Sequence, residues 1–349
     1  MGAVTGLTVV ALLLSPMGCY VSRAAYEEAR ILARRQPIER LVAHAPTAST
    51  TAPDALTTAT RAKLQLVAEA RRFAIDSLGL TAGNSFTQFS PLDRDTLVLV
   101  LSAAYQDRLE LKTWWFPVVG RFPYKGFFDF AEAREARTAL QAQGFDVTLG
   151  PSSAFSTLGW FNDPVVSTTI RQDSVTLVNT VLHELLHTTY FAKGRVPFNE
   201  SFASFVGGRG AEAFFRAKGD TLRERIARDD WHDDLLLGAF WAGLSTELET
   251  AFAAHPDSAR TARIAARTAV YAAARRRLVD SIGPALRRYP PGWTARVPLD
   301  NAVLLARRVY ADGLDAFDQV YAARGARLRD AIATIISQAT AQSAPGSPR

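Results

Sequence analysis

Cysteine is almost absent from this chain of 349 residues, which contains Cys19 alone. A single cysteine cannot form an intramolecular disulfide, so the sequence does not encode a disulfide-stabilised scaffold. Histidine is also scarce, with five residues in the whole chain. Two histidines that lie close together therefore call for an explanation in this composition.

Long hydrophobic runs are missing as well. The run Leu7–Leu14 is shorter than the roughly 18 apolar residues of a membrane-spanning helix, and no other stretch approaches that length. A short apolar run ending in small residues before a cysteine is typical of a bacterial lipoprotein signal, although Pro16 and the absence of a preceding Lys or Arg depart from the usual pattern. We predict a signal peptide over 1–18 and a lipid on Cys19, with the protein at the cell envelope, on the outer membrane and facing the periplasm. An ordinary signal peptide or a short membrane anchor is the alternative.

Nucleic-acid-binding motifs are not found. The net charge of +6 and the isoelectric point of about 9.6 make the chain basic. Its arginines are nevertheless spread over alanine-rich helical stretches and form no dense basic block. We expect solvated basic helix surfaces and no nucleic-acid partner.

The character of the sequence changes along its length. We predict a lipid-anchored N-terminal helix (about 20–44) and linker over 19–57, one folded domain over 58–341 and a disordered tail over 342–349. The first part of the domain, about 58–165, contains the predicted strands. The second part, about 166–341, is predicted to be mostly helical.

Four short extended segments are predicted in the first part, because they are rich in β-branched and aromatic residues: 96–105, 113–120, 121–128 and 145–150. A helix between the last two is expected to begin at Asp129 and to stop at Gly144. The prolines of 115–128 indicate an edge strand. The predicted fold class is α+β, a small mixed sheet followed by a mostly α-helical half.

Two of the five histidines lie in the sequence HELLH, residues 183–187. Residues four apart share one face of a helix, so His183 and His187 can present both imidazoles to one metal ion. Glu184 is turned from His183 by about 100° around the axis, so it can face the open coordination position without being a ligand. A zinc-activated water needs such a base. The surrounding apolar residues predict that this helix is buried.

A catalytic zinc site takes three protein ligands. The turn-rich stretch after His187 allows the chain to reverse, and FNESF (198–202) then begins a second helix with Glu200 in its first turn. Two antiparallel helices can bring such a residue back to the metal face of the first helix, which favours Glu200. The alternatives are Asp173, Glu212 and His232. The alternative to a metal site is a purely structural role for these residues, as a buried histidine pair with glutamates on the helix surface and no metal ion.

The chain resembles the bacterial "putative aminopeptidase" family, whose members are predicted zinc metallopeptidases and often lipoproteins. The resemblance covers most of the chain, and its most specific blocks are GWFNDP (159–164), HELLHTTYF (183–191) and FNESFASFVG (198–207). It implies one Zn²⁺ per chain.

This resemblance also implies residue roles, with His183, His187 and Glu200 as zinc ligands and Glu184 as the general base. The set is similar to the gluzincin arrangement, in which an acidic residue one turn after the ligand glutamate often orients a ligand histidine. The sequence has Ala203 and Ser204 in that region. The outer partners of the histidines are therefore left open.

A zincin-like fold implies that an extended substrate lies along an edge strand beside the active helix, and 115–128 is the candidate. The transition state also needs a donor near the oxyanion. The candidate donors are Tyr124, Tyr190, His232 and Tyr310. Asp163 is the candidate for contact with a substrate amino group.

The expected function is zinc-dependent hydrolysis of peptide bonds, as an aminopeptidase. An envelope endopeptidase with the same mechanism is one alternative. A non-catalytic, lipid-anchored binding protein with a structural zinc is another. The expected partners are a peptide or protein substrate and, through the lipid, a membrane.

Overall fold

The computed structural model describes residues 26, 29–43, 56–93, 96, 98–116, 120–151 and 164–342. The predictions for the signal peptide, Cys19, Asp163 and the tail from 343 onwards fall outside these residues. Among the described residues, no helix is both long enough and apolar enough to cross a membrane. The α+β class and the helical C-terminal half are confirmed.

Eight short strands are present in the described part of the chain: β1 (Gln36–Pro37), β2 (Gln88–Ser90), β3 (Leu99–Tyr105), β4 (Trp114–Phe116), β5 (Gly120–Phe122), β6 (Lys125–Phe127), β7 (Phe145–Pro151) and β8 (Val165–Val166). They form three sheets, in the orders β1-β2-β8, β6-β3-β7 and β4-β5. The expectation of one small mixed sheet was therefore wrong. The β6-β3-β7 sheet is antiparallel, with β3 paired along its whole length from Leu99↔Pro151 to Tyr105↔Phe145.

The four predicted segments correspond to β3, β4, the consecutive strands β5 and β6, and β7. The mixed sheet consists instead of the three strands that were not predicted, since β2 pairs antiparallel with β1 and parallel with β8. Strands of two or three residues are too short to show an alternating pattern. The helix expected over 20–44 is interrupted by β1, because Pro37 cannot donate the hydrogen bond of a helix interior.

The helices are α1 (Ile38–Ala43), α2 (Thr58–Asp76), α3 (Phe130–Ala142), α4 (Ser167–Ile170), α5 (Ser174–Thr189), α6 (Val196–Ala217), α7 (Thr221–Ala253), α8 (Arg260–Arg277), α9 (Trp293–Arg296), α10 (Asn301–Ala311), α11 (Leu314–Ala323) and α12 (Leu328–Gln342). A π-helical turn and a 3-10 turn follow α8 over 278–285. Asp129 caps α3 as expected, since its carboxylate accepts the N–H groups of Ala131 and Glu132. The last helical region is broken twice, at 312–313 and at 324–327.

The centre of the fold is the pair α5 and α6. Helix α5, which carries HELLH, packs mainly against α2 and α6, while α6 also contacts α7, α10, α11 and α12. The β6-β3-β7 sheet packs against α3 and α10 instead. In the described part of the chain the principal packing partners of α5 are helices. The edge strand beside α5 stays a prediction. The apolar faces of α5 are already covered by helices.

Two glycines allow α5 and α6 to approach closely. A Cβ atom at Gly207 would lie 2.9 Å from the backbone oxygen of Asn179, and one at Gly210 would lie 2.6 Å from Cδ1 of Leu182. Both neighbours belong to α5. Real Cβ atoms do not approach other atoms so closely, so a larger residue would push the helices apart.

We expect Gly207→Ala to lower the free energy of unfolding by about 1–3 kcal/mol, because the added methyl overpacks the α5–α6 interface. Urea denaturation would measure this. Gly243→Ala is the matched control, since Gly243 is exposed within α7 and its added Cβ would meet nothing within 4 Å. That control should stabilise the protein by about 0.5–1 kcal/mol, as for other exposed helix interiors. Equal effects of both changes would show that the helices are not closely packed at Gly207.

Candidate metal centre

Helix α5 begins at an aspartate cap and buries most of its surface. The carboxylate of Asp173 accepts the N–H groups of Val175 and Thr176 at 2.9 and 3.1 Å. Apolar side chains on its buried faces include Val175, Leu177, Val178, Val181, Leu182, Leu185 and Leu186. His183, Glu184 and His187 are half-buried on the remaining face.

Three potential ligand atoms converge at this face. The Nε2 atoms of His183 and His187 lie 3.2 Å apart. Oε2 of Glu200 is 3.4 Å from Nε2 of His183, and Oε1 is 3.5 Å from Nε2 of His187. Among the described residues this is the one group of three or more such side chains whose ligand atoms all lie within 4.8 Å of one another.

These distances suit a shared metal ion better than direct pairing. A charge-assisted N–H to carboxylate hydrogen bond is usually about 2.7–2.9 Å long. Zinc with bonds of about 2.0–2.1 Å to tetrahedral ligands holds those ligands about 3.3–3.4 Å from one another. The measured separations of 3.2, 3.4 and 3.5 Å lie around that tetrahedral edge. Two imidazoles and one carboxylate are also a donor set that zinc binds well.

The electrostatics keep Glu200 ionised. Burial alone would raise the pKa of this carboxyl, but the imidazoles of His183 and His187 lower it to about 2. Burial likewise opposes the charged form of His187, yet Glu200 and Glu184 raise its pKa. A carboxylate that is charged throughout the neutral range is available as a ligand.

Asn199 fixes the backbone immediately before Glu200. Its side-chain amide donates to the backbone oxygen of Ala192 and accepts from the backbone N–H of Ala192, both at 2.9 Å. The residue is 2% exposed. This double hydrogen bond ties the loop between α5 and α6 to α6, which begins at Val196, so that Glu200 is its fifth residue and lies just beyond the expected first turn. The structural role of the Asn-Glu pair could not be read from the sequence.

Ser201, on the other side of Glu200, fixes the end of α10. Its hydroxyl accepts from the backbone N–H of Asp312 at 2.8 Å and donates to the backbone oxygen of Val309 at 3.3 Å. Tyr310 lies between these two residues. Its ring centroid is 6.3 Å from that of His183, and 51% of the residue is exposed.

Two candidate donors lie near the centre. Burial and the charges of Glu200 and Glu184 raise the pKa of Tyr310 to about 12, with a further contribution from Tyr124. Tyr124, in the turn between β5 and β6, has a pKa that burial raises. Both phenols therefore stay protonated at neutral pH and can donate hydrogen bonds.

The remaining candidates have other contacts. Tyr190 packs its ring against Phe198, and His232 lies 3.1 Å from Asp233. Among the alternatives for the third ligand, Glu212 pairs with Arg209 at 2.9 Å and Asp173 caps α5. None of these alternatives joins the two histidines.

Glu184 differs from the other carboxylates because its side chain forms no hydrogen bond or ion pair with a residue that the structure describes. It is half-buried, and its charge raises the pKa of both His187 and Tyr310. It is therefore beside the centre and free to act as a base.

A metal-binding histidine usually donates a hydrogen bond from the ring nitrogen that does not face the metal, and such a partner is not found for His187 in the described structure. Nδ1 of His187 is buried without a hydrogen-bond partner within the described ranges, and the Ser204 hydroxyl donates to the backbone oxygen of Glu200.

Comparison with known proteins gives the family. The model of the family described as "Putative aminopeptidase" matches residues 19–344, so the chain belongs to that family. This confirms the resemblance noted in the sequence. No curated protein and no solved structure is similar enough to the chain to match it.

We expect Glu200→Gln to lose bound zinc, because an amide replaces the anionic ligand. Zinc would be measured per chain after dialysis against a chelator, with the wild type retaining one ion. Asn199→Ala should weaken zinc binding by about 10- to 100-fold, because it removes support next to a ligand. Glu247→Gln, which removes an exposed carboxylate paired with Arg277, is the control and should bind zinc as the wild type does. Retention of zinc by Glu200→Gln would contradict the assignment of this ligand.

Proposed function

We propose that this protein is a zinc-dependent peptidase of the aminopeptidase type. The observation that carries the proposal is the convergence of His183, His187 and Glu200 at separations that suit a tetrahedral ion, beside a glutamate without a partner. Membership of a family described as aminopeptidases supports peptide hydrolysis as the reaction. The zincin-like fold and the gluzincin-like ligand set are parts of the same proposal.

The two glutamates have separate roles. His183, His187 and Glu200 would hold the ion, which when bound supplies Lewis-acid activation of water and of the scissile carbonyl. Glu184 accepts a proton from the attacking water and passes it to the leaving amine. Its lack of a hydrogen-bond partner supports this role, since a structural site would have no use for an unpaired carboxylate.

Tyr310 is the proposed donor to the developing oxyanion. Its phenol is protonated at neutral pH, and its ring, carried by α10, lies 6.3 Å from that of His183. A donor placed before the reaction stabilises charge that appears only in the transition state. Tyr124, between β5 and β6, contributes to the raised pKa of Tyr310, which supports the 115–128 segment as the surface along which an extended substrate lies.

The proposed location is the cell envelope, with the lipid on Cys19 and the domain facing the periplasm. The family match begins at Cys19, the residue at which cleavage of the signal is expected, and this supports the location. Labelling with a radioactive fatty acid, which a Cys19→Ala variant should not incorporate, tests it.

Two other functions remain as alternatives. An endopeptidase would use the same ligands and base, but would not need a free substrate amino group. A lipid-anchored binding protein would hold zinc without turnover. The second alternative is less well supported because Glu184 is unpaired beside the ligands.

We expect Glu184→Gln to lower kcat by roughly 10²–10⁴-fold with zinc content unchanged, because the base is removed while the ligands remain. Hydrolysis of a peptide library and metal analysis on the same preparations would measure both. Glu247→Gln should keep full activity. Undiminished turnover by zinc-loaded Glu184→Gln would contradict the mechanism, and no turnover by any form would favour the binding protein.

We also expect a free α-amino group to be required. Peptides with a free N-terminus should be hydrolysed one residue at a time, while their N-acetylated counterparts should resist, because acetylation removes the charge that an aminopeptidase recognises. Mass spectrometry of the products would measure this. Equal cleavage of both kinds of peptide, at internal bonds, would identify an endopeptidase.

A further inference from the structure

Phe191 is a large apolar side chain that stays exposed beside the candidate metal centre. Its ring centroid lies 6.1 Å from that of His187, in an edge-on arrangement, and 57% of the residue is exposed. The ring centroids of His187 and His183 are 4.9 Å apart, and the ring of Tyr310 lies beside that of His183. Each of the two proposed ligand histidines therefore has one exposed aromatic ring next to it.

The backbone of Phe191 is held between two fixed neighbours. The N–H of Tyr190 donates to the backbone oxygen of Leu186 at 2.8 Å and ends α5. Both backbone groups of Ala192 bond to the side chain of Asn199 at 2.9 Å. The backbone that carries Phe191 is therefore ordered before a ligand arrives, which lowers the entropic cost of binding to this residue.

The extended backbone at the end of α5 directs Tyr190 and Phe191 to opposite sides. Tyr190 has a φ of −149° and a ψ of 132°, and successive side chains of an extended chain point in opposite directions. The ring of Tyr190 packs on Phe198, whose ring in turn packs on Phe202 in the core. Phe191 is turned the other way, towards His187 and the solvent.

Helix α6 adds a second exposed apolar side chain near the same end of the centre. Val196 is the first residue of α6, and half of it is exposed. It precedes Glu200 by four residues, so the two share a helix face. Phe191 follows His187 by the same interval. Both exposed apolar residues are therefore four positions from a proposed ligand, on the side of the centre where the loop 190–195 joins the two helices.

The ligand that fits this position is an apolar side chain of the substrate. When a peptide bond is attacked at the metal centre, the side chains of the two residues that flank it begin only a short distance from the atoms of that bond. Phe191 lies next to a proposed ligand, so it is within reach of one of these side chains. A ring that is open to water gains most from contact with another apolar or aromatic group.

We propose that Phe191 forms one wall of a subsite for an apolar side chain next to the scissile bond. The substrates are then peptides with an aromatic or large aliphatic residue at that bond. This inference rests on the proposed peptidase function and adds the class of substrate. Phe191 determines specificity and takes no part in the chemistry, whereas Tyr310, beside the other histidine, is the proposed donor to the oxyanion.

The test measures binding separately from turnover. The zinc-loaded full chain carrying Glu184→Gln, which prevents hydrolysis, is titrated by calorimetry with four tripeptide amides. Trialanine amide is the reference. Two others carry phenylalanine, at the first or at the second position, and the fourth carries lysine at the first position. Each is measured with Phe191 intact, with Phe191→Ala and with Phe191→Leu.

Leu222→Ala is the matched control, since Leu222 is an apolar residue with the same exposed fraction as Phe191. It lies at the start of α7, beyond the far end of α6. That end is roughly 25 Å along the helix from Glu200, at 1.5 Å per residue. Zinc content should be the same in all variants, because neither residue is a proposed ligand.

One of the two phenylalanyl peptides should bind about tenfold more tightly than trialanine amide, because its side chain covers the open ring of Phe191. Phe191→Ala should remove most of this difference and leave the affinity for trialanine amide unchanged. Phe191→Leu should keep most of the difference, and Leu222→Ala should keep all of it. The position of phenylalanine in the tighter peptide identifies whether the subsite takes the residue before or after the scissile bond.

A preference for phenylalanine that survives Phe191→Ala would overturn the proposal, as would no preference or no detectable binding of any peptide. Equal weakening of all four peptides by Phe191→Ala would overturn it in favour of a structural role in the loop. Tighter binding of the lysyl peptide that depends on Phe191 would overturn it in favour of a cation site. A lack of turnover when Glu184 is intact would refute only the peptidase function, because the preference is measured without hydrolysis.

Discussion

The close contact between α5 and α6 is the constraint on which the rest of this structure depends. The proposed ligand set is divided, with two imidazoles on α5 and one carboxylate on α6, so the distance between the helix axes determines whether a metal ion could be shared. Gly207 and Gly210 allow this approach because they have no side chain, and a Cβ atom at either position would overlap with α5. The neighbouring helices α7 and α10 pack on α6, and α10 carries Tyr310.

The two glutamates of the centre show how position separates chemical roles. Glu200 lies between two imidazoles that hold its pKa low, which suits an anionic ligand. Glu184 is adjacent to His183 in the chain, but it is not one of the clustered ligand residues and lacks a partner in the described structure. The same residue type can therefore serve as ligand and as base, because one is neutralised by its surroundings and the other is left available.

Local patterns predicted the local features of this site. The spacing of His183 and His187 specifies a common helix face, and the reversal before Glu200 indicates an antiparallel return. The strands with enough β-branched residues were also found, whereas two-residue strands contain no period to detect. Contacts between segments that are distant in the sequence could not be predicted. Nothing in the sequence distinguishes Tyr310 from other tyrosines.

The stretch Asn199–Ser201, in the first two turns of α6, has a consequence for how this protein can vary. Three consecutive residues there each attach to a different part of the molecule: Asn199 to the loop at Ala192, Glu200 to the histidines, and Ser201 to the end of α10. A single inserted residue between Ser201 and Gly207 would rotate this turn by about 100° relative to the glycine contacts. The loop between α5 and α6 (190–195), tied to α6 by Asn199, is under no such restriction. Length changes in relatives should therefore collect in the loop and be excluded from the helix a few residues later.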